Sequence, residues 1–235
     1  MPYNPVLAVV IPVYNEAKNL AGLLNDWLPV FNKTAVAFTV ILIDDGSKDD
    51  SLSLLQTMAA ENPQLQVHTQ QNAGHGPAIL KGYHLAGDAD WIFQIDSDHQ
   101  LDPAAFDVLW TNINDYDLLI AQRREKNATA GRQRISAVSQ LMVGLLFGNK
   151  VSDVNSPYRL MRGSQLREAL ATIPKNSFAP NILLTAWFVR KKKRIFTTAT
   201  QNRTDGALRQ SKVSRHIFRG ALRSAVQTIL FRIKL

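Results

Sequence analysis

The chain has 235 residues, 46% of them hydrophobic, with 12 glycines, 10 prolines and no cysteine. This fits one sizeable folded domain, with or without a helical appendage, and excludes disulfides, thiolate zinc sites and a cysteine nucleophile. The net charge of +8 conceals a division: residues 1–122 hold 4 Lys and Arg against 15 Asp and Glu, a balance of −11, and residues 123–235 hold 23 against 4, a balance of +19. An acidic half suits bound cations, and a basic half faces anions such as a phosphate or an anionic membrane surface.

Leu7 to Ile11 is a short continuous apolar run, the pattern of a strand covered on both faces. It follows an opening, Met1 to Asn4, that lacks the basic region of a signal peptide. Glu16 to Phe31 is helical, with Leu20, Leu23, Leu24, Trp27 and Leu28 on one face. Phe38 to Ile43 reads as a strand. A helix over Asp49 to Ala60 is entered through Ser47 and Asp49 as caps. Leu65 to Thr69 is a strand, Gly76 to Ala86 a helix and Trp91 to Ile95 a strand. Strands alternating with helices through short loops predict an α/β fold with a Rossmann-like, doubly wound, mainly parallel sheet. Farther on, helices are expected over Gly131–Phe147, Gln165–Thr172 and Phe178–Val189, and strands over Tyr158–Met161 and Arg194–Thr200. A basic amphipathic helix is expected from Val213 to Leu235. No apolar stretch reaches the ~18 residues of a membrane span.

In a parallel sheet, ligands bind beyond the carboxyl ends of the strands. Pro12 to Glu16, Asp44 to Ser47 and Asp96 to Gln100 each follow a strand, so three polar clusters should meet at one edge. Asp96 and Asp98, spaced i, i+2, can share one hard divalent cation, Mg²⁺ or Mn²⁺, with open positions left for a diphosphate. Asp102-Pro103, just after them, starts a helix. Asp44 and Asp45 suit a turn, or accept hydrogen bonds from a base or ribose. Tyr14 offers a flat surface to a nucleobase, while Glu16 also suits a helix N-terminus. The phosphate-binding patterns G-x-x-x-x-G-K-[ST] and G-x-G-x-x-G are both lacking.

These segments resemble glycosyltransferase family 2 and its GT-A fold. The carriers are Ile11-Pro12-Val13-Tyr14-Asn15-Glu16, Asp44-Asp45-Gly46-Ser47, Asn72-Ala73-Gly74-His75-Gly76-Pro77-Ala78 and Asp96-Ser97-Asp98, in the family's order. The resemblance implies that Pro12, Tyr14, Glu16, Asp44 and Asp45, with Asn72 and Gly74, hold the nucleotide. It implies that Asp96, Asp98 and Gln100 hold the metal and diphosphate. Ile120 to Arg123, Arg132, Arg134, Ser136, Asp153 to Arg159, Arg203, Gly206, Ser211 and Lys212 resemble the polyprenyl-phosphate branch of the family. There Arg123, Arg132 or Arg134, Ser136, Arg203, Ser211 and Lys212 would clamp the acceptor phosphate, and Arg123 would also serve catalysis. The register leaves Arg132 and Arg134 as alternatives.

A phosphate acceptor has independent support. Sugar hydroxyls need a general base, whereas a phosphate monoester is already anionic near neutrality. Many family members carry a Glu-Asp pair for that purpose, and this chain has no Glu-Asp dipeptide. The expected reaction is therefore inverting transfer from a UDP- or GDP-sugar to a polyprenyl phosphate. The protein would be peripheral on the cytoplasmic face of a membrane. Residues 1–122 would form the donor half of the domain, 123–212 its acceptor half and 213–235 a basic helix. One alternative is transfer to a saccharide hydroxyl with Asp153 as base, unless Asp153 only pairs with Arg159 or Arg162. Another is a non-catalytic, membrane-associated nucleotide-sugar binding module. In the helix, Arg215, Arg219 and Arg223 recur every four residues, while Phe218, Leu222, Val226, Ile229 and Ile233 line another face. That pattern fits a bilayer surface or packing on the domain. No nucleic-acid partner is expected: the acidic half repels it and stacking aromatics are sparse in the basic half.

Overall fold

The computed structural model describes residues 5–123, 141, 143–148, 151, 153–200 and 215–234. The strands are β1 (Leu7–Val13), β2 (Phe38–Asp44), β3 (Leu65–Thr69), β4 (Trp91–Gln94), β5 (Leu118–Arg123), β6 (Arg159–Arg162) and β7 (Ile195–Thr200). The helices are α1 (Ala17–Lys33), α2 (Ser51–Glu61), α3 (His75–Leu85), α4 (Ala104–Trp110), α5 (Gly163–Leu170), α6 (Pro180–Arg190) and α7 (Arg215–Lys234). The sheet runs in the order β3-β2-β1-β4-β6-β5-β7. β6 is antiparallel to both of its neighbours, and the other six strands point one way. The expected mainly parallel sheet is thus present. Two elements had not been read from the sequence as such: α4, of which only the Asp102-Pro103 start was legible, and β5.

Period-2 alternation sends the side chains of β1 to two separate cores. Leu7, Val9, Ile11 and Val13 pack with α1, α2 and α4, and Ala8 and Val10 pack with α3, α5 and α6. Every β1 residue is buried, which accounts for its unbroken apolar run. On the first face Trp27 lies 5.3 Å from Phe93 and 5.5 Å from Tyr158, ring centre to ring centre. Phe93 and Phe106 are 4.8 Å apart. The Tyr158 hydroxyl donates to the carbonyls of Asp102 and Pro103, each at 3.2 Å. This aromatic layer therefore anchors the chain just past the Asp96–Gln100 turn. On the other face α6 is buried from Pro180 to Val189, with Pro180 in its first turn, where its missing N–H costs nothing.

Candidate active site

The site is assembled by register. Val13 lies opposite Asp44 at the end of β1 and β2, and Val10 lies opposite Gln94 in β4. The three loops that leave these strands therefore start side by side. Pro12 is buried within β1 beyond the last residue of β4 that pairs with it, so its missing donor breaks no ladder bond there. Tyr14 is 42% exposed and presents its ring at the surface.

The first two loops are laced into one body. Asn15, at φ 55°, donates its amide to Ser47 Oγ at 3.0 Å, and its Oδ1 accepts the Lys48 amide at 2.7 Å. The Glu16 amide donates to Ser51 Oγ at 2.9 Å and the Ala17 amide to Asp49 Oδ2 at 3.2 Å. Asp49 thus satisfies an otherwise orphaned N–H at the start of α1. Burial alone would raise the Asp49 carboxyl, but hydrogen bonds from Ser51 and Ala17 outweigh it and hold the carboxyl below its ordinary value.

Asp44 and Asp45 are only 1% and 3% exposed. Asp44 accepts the Ser47 amide at 3.2 Å and the Thr69 hydroxyl at 3.1 Å. Asp45 accepts Gln70 Nε2 and the Ala73 amide, both at 2.8 Å, and the Gly74 amide at 2.9 Å. Asp45 therefore folds the 70–74 segment over the end of β2, bringing Asn72 and Gly74 to this edge. Gly46, at φ +69°, makes the close approach possible, since a Cβ there would lie 2.9 Å from the Asn72 amide nitrogen.

Asp96, with 24% of its side chain exposed, follows β4. Its Oδ1 accepts Gln94 Nε2 at 3.1 Å and faces His75 Nε2 at 3.5 Å. Both of these contacts fall on Oδ1. Asp98 Oδ1 accepts the Gln100 amide at 3.3 Å, closing a turn through His99 at φ 54°. Asp98 and Gln100 are half-buried. The His99 ring meets Asp26 Oδ2 at 2.7 Å, pinning the turn to α1. A Cβ on Gly22 would come 2.8 Å from that ring, so the glycine makes the space for it.

Sequence reasoning had missed His75 and His99, although both stand inside the motifs it used. It also missed a buried relay beneath Asp96. Tyr83 donates to Asn181 Oδ1 at 3.0 Å, Asn181 Nδ2 donates to Gln94 Oε1 at 2.8 Å, and Gln94 donates to Asp96. Burial pushes the Tyr83 phenol up, so it stays a donor. Arg159, wholly buried, donates to the carbonyls of Ser156 at 2.7 Å and of Val154 and Asn181 at 3.1 Å. Burial lowers its pKa, and Tyr83, Asp153 and Asp96 act against that. Arg162, offered by sequence as a partner for Asp153, instead pairs with Asp117 at 3.2 Å and lies over the Trp91 ring at 4.6 Å.

Of the acceptor residues, Arg123 ends β5 opposite Thr200, at the edge where β4 also ends. Arg132, Arg134, Ser136, Arg203, Ser211 and Lys212 lie outside the described residues. The chain leaves the described sheet at Arg123 and Thr200, both on this edge.

A Rossmann-like sheet with one inserted antiparallel strand, its acidic turns gathered at the carboxyl edge, is the GT-A fold. The chain belongs to glycosyl transferase family 2, whose pattern matches residues 8–169. It is 29% identical over 190 residues to an undecaprenyl-phosphate 4-deoxy-4-formamido-L-arabinose transferase of Sodalis glossinidius (strain morsitans), covering 79% of this chain and 57% of that protein. The chain thus spans little more than half the length of this curated relative. The fold is shared with glucosyl-3-phosphoglycerate synthase from Mycobacterium tuberculosis, solved with Mn²⁺, UDP and glucosyl-3-phosphoglycerate. That match has a TM-score of 0.69 at 17% identity and covers 98% of this chain and 81% of that one. It is shared too with S. aureus TarS 1–349 in complex with UDP, at a TM-score of 0.63 and 20% identity, covering 95% and 65%.

Proposed function

We propose that this chain transfers a sugar, with inversion, from a nucleoside-diphosphate donor to a polyprenyl phosphate. The observation that carries the reading is the meeting of three loops at one sheet edge. Tyr14 and the Asp44–Asp45 turn form one wall, Asn72 and Gly74 are folded against it by Asp45, and Asp96 and Asp98 stand beside them. Tyr14 would stack on the base, with Glu16, Asp44 and Asp45 around the nucleoside.

Among the described residues no group of three His, Cys, Asp or Glu side chains could hold a metal ion. Asp96 and Asp98, with Gln100 nearby, would hold Mg²⁺ or Mn²⁺, since such ions bind through one or two carboxylates and complete their shell with substrate oxygens and water. When bound, the cation offsets the negative charge growing on the leaving diphosphate. The protein's own residues hold the donor, and the buried relay fixes the rotamer of Asp96. The acceptor phosphate attacks the anomeric carbon as an anion and needs no proton taken from it. Arg123, Arg132 or Arg134, Ser136, Arg203, Ser211 and Lys212 would hold that phosphate; guanidinium groups match it by bidentate bonding.

The undecaprenyl-phosphate named in the relative supports the lipid acceptor, and the UDP in the two solved neighbours makes UDP-sugars the first donors to try. No helix among the described residues is long and apolar enough to cross a membrane. The reading places the chain at the cytoplasmic face, where it meets both substrates. The test is a panel of UDP- and GDP-sugars with Mn²⁺ and a polyprenyl phosphate. Acid-labile sugar in the organic phase is the expected product. A stable water-soluble glycoside would move the assignment to a saccharide acceptor with Asp153 as base. Donor binding without turnover would leave a binding module.

A further inference from the structure

The last helix is mounted the wrong way round for a soluble protein. α7 buries Gly220, Ser224, Thr228 and Phe231, which recur along a single helical face. Its attachment uses small and polar groups. A Cβ on Gly220 would come 2.2 Å from the Phe178 ring, so the helix backbone presses directly on that side chain. Gln227 Oε1 accepts the Phe178 amide at 3.0 Å, and Arg223 donates to the Asn176 carbonyl at 3.2 Å. Arg232 Nε donates to the Leu146 carbonyl at 2.7 Å, tying α7 to the helical residues 143–147.

The large apolar side chains face the other way. Leu222, Val226, Ile229, Leu230 and Ile233 are each between 48% and 77% exposed, and Leu145 on the neighbouring segment is 76% exposed. An ordinary surface helix buries such residues. A contiguous exposed apolar surface of this kind marks an interaction site.

We propose that this face docks on an anionic lipid bilayer, with α7 lying in the headgroup plane and its outward apolar stripe inserted. Charge selects the occupant. Residues 215–234 contain Arg215, Arg219, Arg223, Arg232 and Lys234 and no acidic residue. Anionic headgroups complement such a helix. A second copy docking by the same face would bring two such uniformly cationic helices together, because a twofold contact apposes a patch to itself.

Position favours it as well. The Asn176–Phe178 segment under α7 also rests on the donor site. A Cβ on Gly76 would come 2.1 Å from the Ser177 carbonyl oxygen, and His75, the residue before, faces Asp96. One short loop therefore joins α7 itself to the proposed diphosphate site, so a bilayer beneath the helix lies on the side of the molecule from which a lipid phosphate would reach that site. The inference rests on the lipid-phosphate reading for its purpose, but its test is separable.

The test is sedimentation of the full chain with vesicles of phosphatidylglycerol and phosphatidylcholine, and with phosphatidylcholine alone. The chain should bind the anionic vesicles. The double substitution Leu230→Glu, Ile233→Glu should reduce that binding at least about tenfold. Its melting temperature and its stabilisation by donor nucleotide with Mn²⁺ should be unchanged, since both side chains project outward. A Leu230→Trp variant keeps the stripe apolar, and brominated acyl chains should quench its fluorescence more than that of the wild type. Failure of the wild type to bind, equal binding by the double variant, or no extra quenching in the Leu230→Trp variant each overturns the proposal. So does a concentration-dependent dimer that the same substitutions dissociate. Loss of nucleotide stabilisation in a chain that still binds vesicles would strike the catalytic reading alone.

Discussion

Two pairs of acids stand at the carboxyl ends of the parallel strands β2 and β4, which flank β1, in opposite surroundings. Asp44 and Asp45 are sealed from solvent, and five hydrogen bonds from their own scaffold converge on them. Asp96 and Asp98 remain partly open, and Asp96 is gripped on one oxygen only among the described residues. A buried carboxylate surrounded by donors holds a loop together, and a half-open one stays within reach of a ligand. In the sequence both pairs are simply acids after an apolar strand.

The contrast can be broken from either side. The largest effect is expected at the open pair. Asp98→Ala should lower kcat/KM about a hundredfold to a thousandfold while moving stability by less than about 1 kcal/mol, read by turnover assay and chemical denaturation. Asp45→Asn should do the reverse in kind. It turns an acceptor into a donor against buried amides and should cost about 2 kcal/mol of stability, with hydrogen exchange rising at Ala73 and Gly74. Gly46→Ala should cost about 1–2 kcal/mol, because φ +69° disfavours an L side chain and the new Cβ meets the Asn72 amide.

The smallest effect belongs to a carboxylate outside both pairs. Burial would raise Asp117, but Arg194 and Arg162 outweigh it and hold it below its ordinary value. Its stabilisation is therefore full above the ordinary carboxylate pKa and is lost as pH falls through the depressed value. Asp117→Asn should cost about 1 kcal/mol at neutral pH. In acid unfolding that difference should shrink as pH falls below the unfolded aspartate pKa of about 3.9 and vanish once the depressed folded value is passed. A constant difference down to about pH 2 would show that charge is not the cause.

How much of this was legible follows from where each signal resides. Strands β1 to β4 and helices α1 to α3 announced themselves because apolar period and capping are local properties. β5 went unread because Leu118 to Arg123 is a short apolar run next to an Asp-Tyr-Asp turn, and only pairing with β6 and β7 makes it a strand. The loop motifs located the site edge. The relay through Gln94, Tyr83, Asn181 and Arg159 was invisible, because Asn181 lies 87 residues from Gln94 and each member looks like any polar residue. The period of α7 showed a stripe, but its direction depends on Gly220 meeting Phe178.

The reversed strand has a consequence of its own. β6, from the second half of the chain, hydrogen-bonds to β4 on one side and β5 on the other. A fragment ending near residue 122 would leave the flank of β4 as a bare ribbon edge, ready to join any stray strand. Residues 1–122 are therefore not a detachable module: shuffling or trimming must carry Arg159 to Arg162 along, or leave that edge bare.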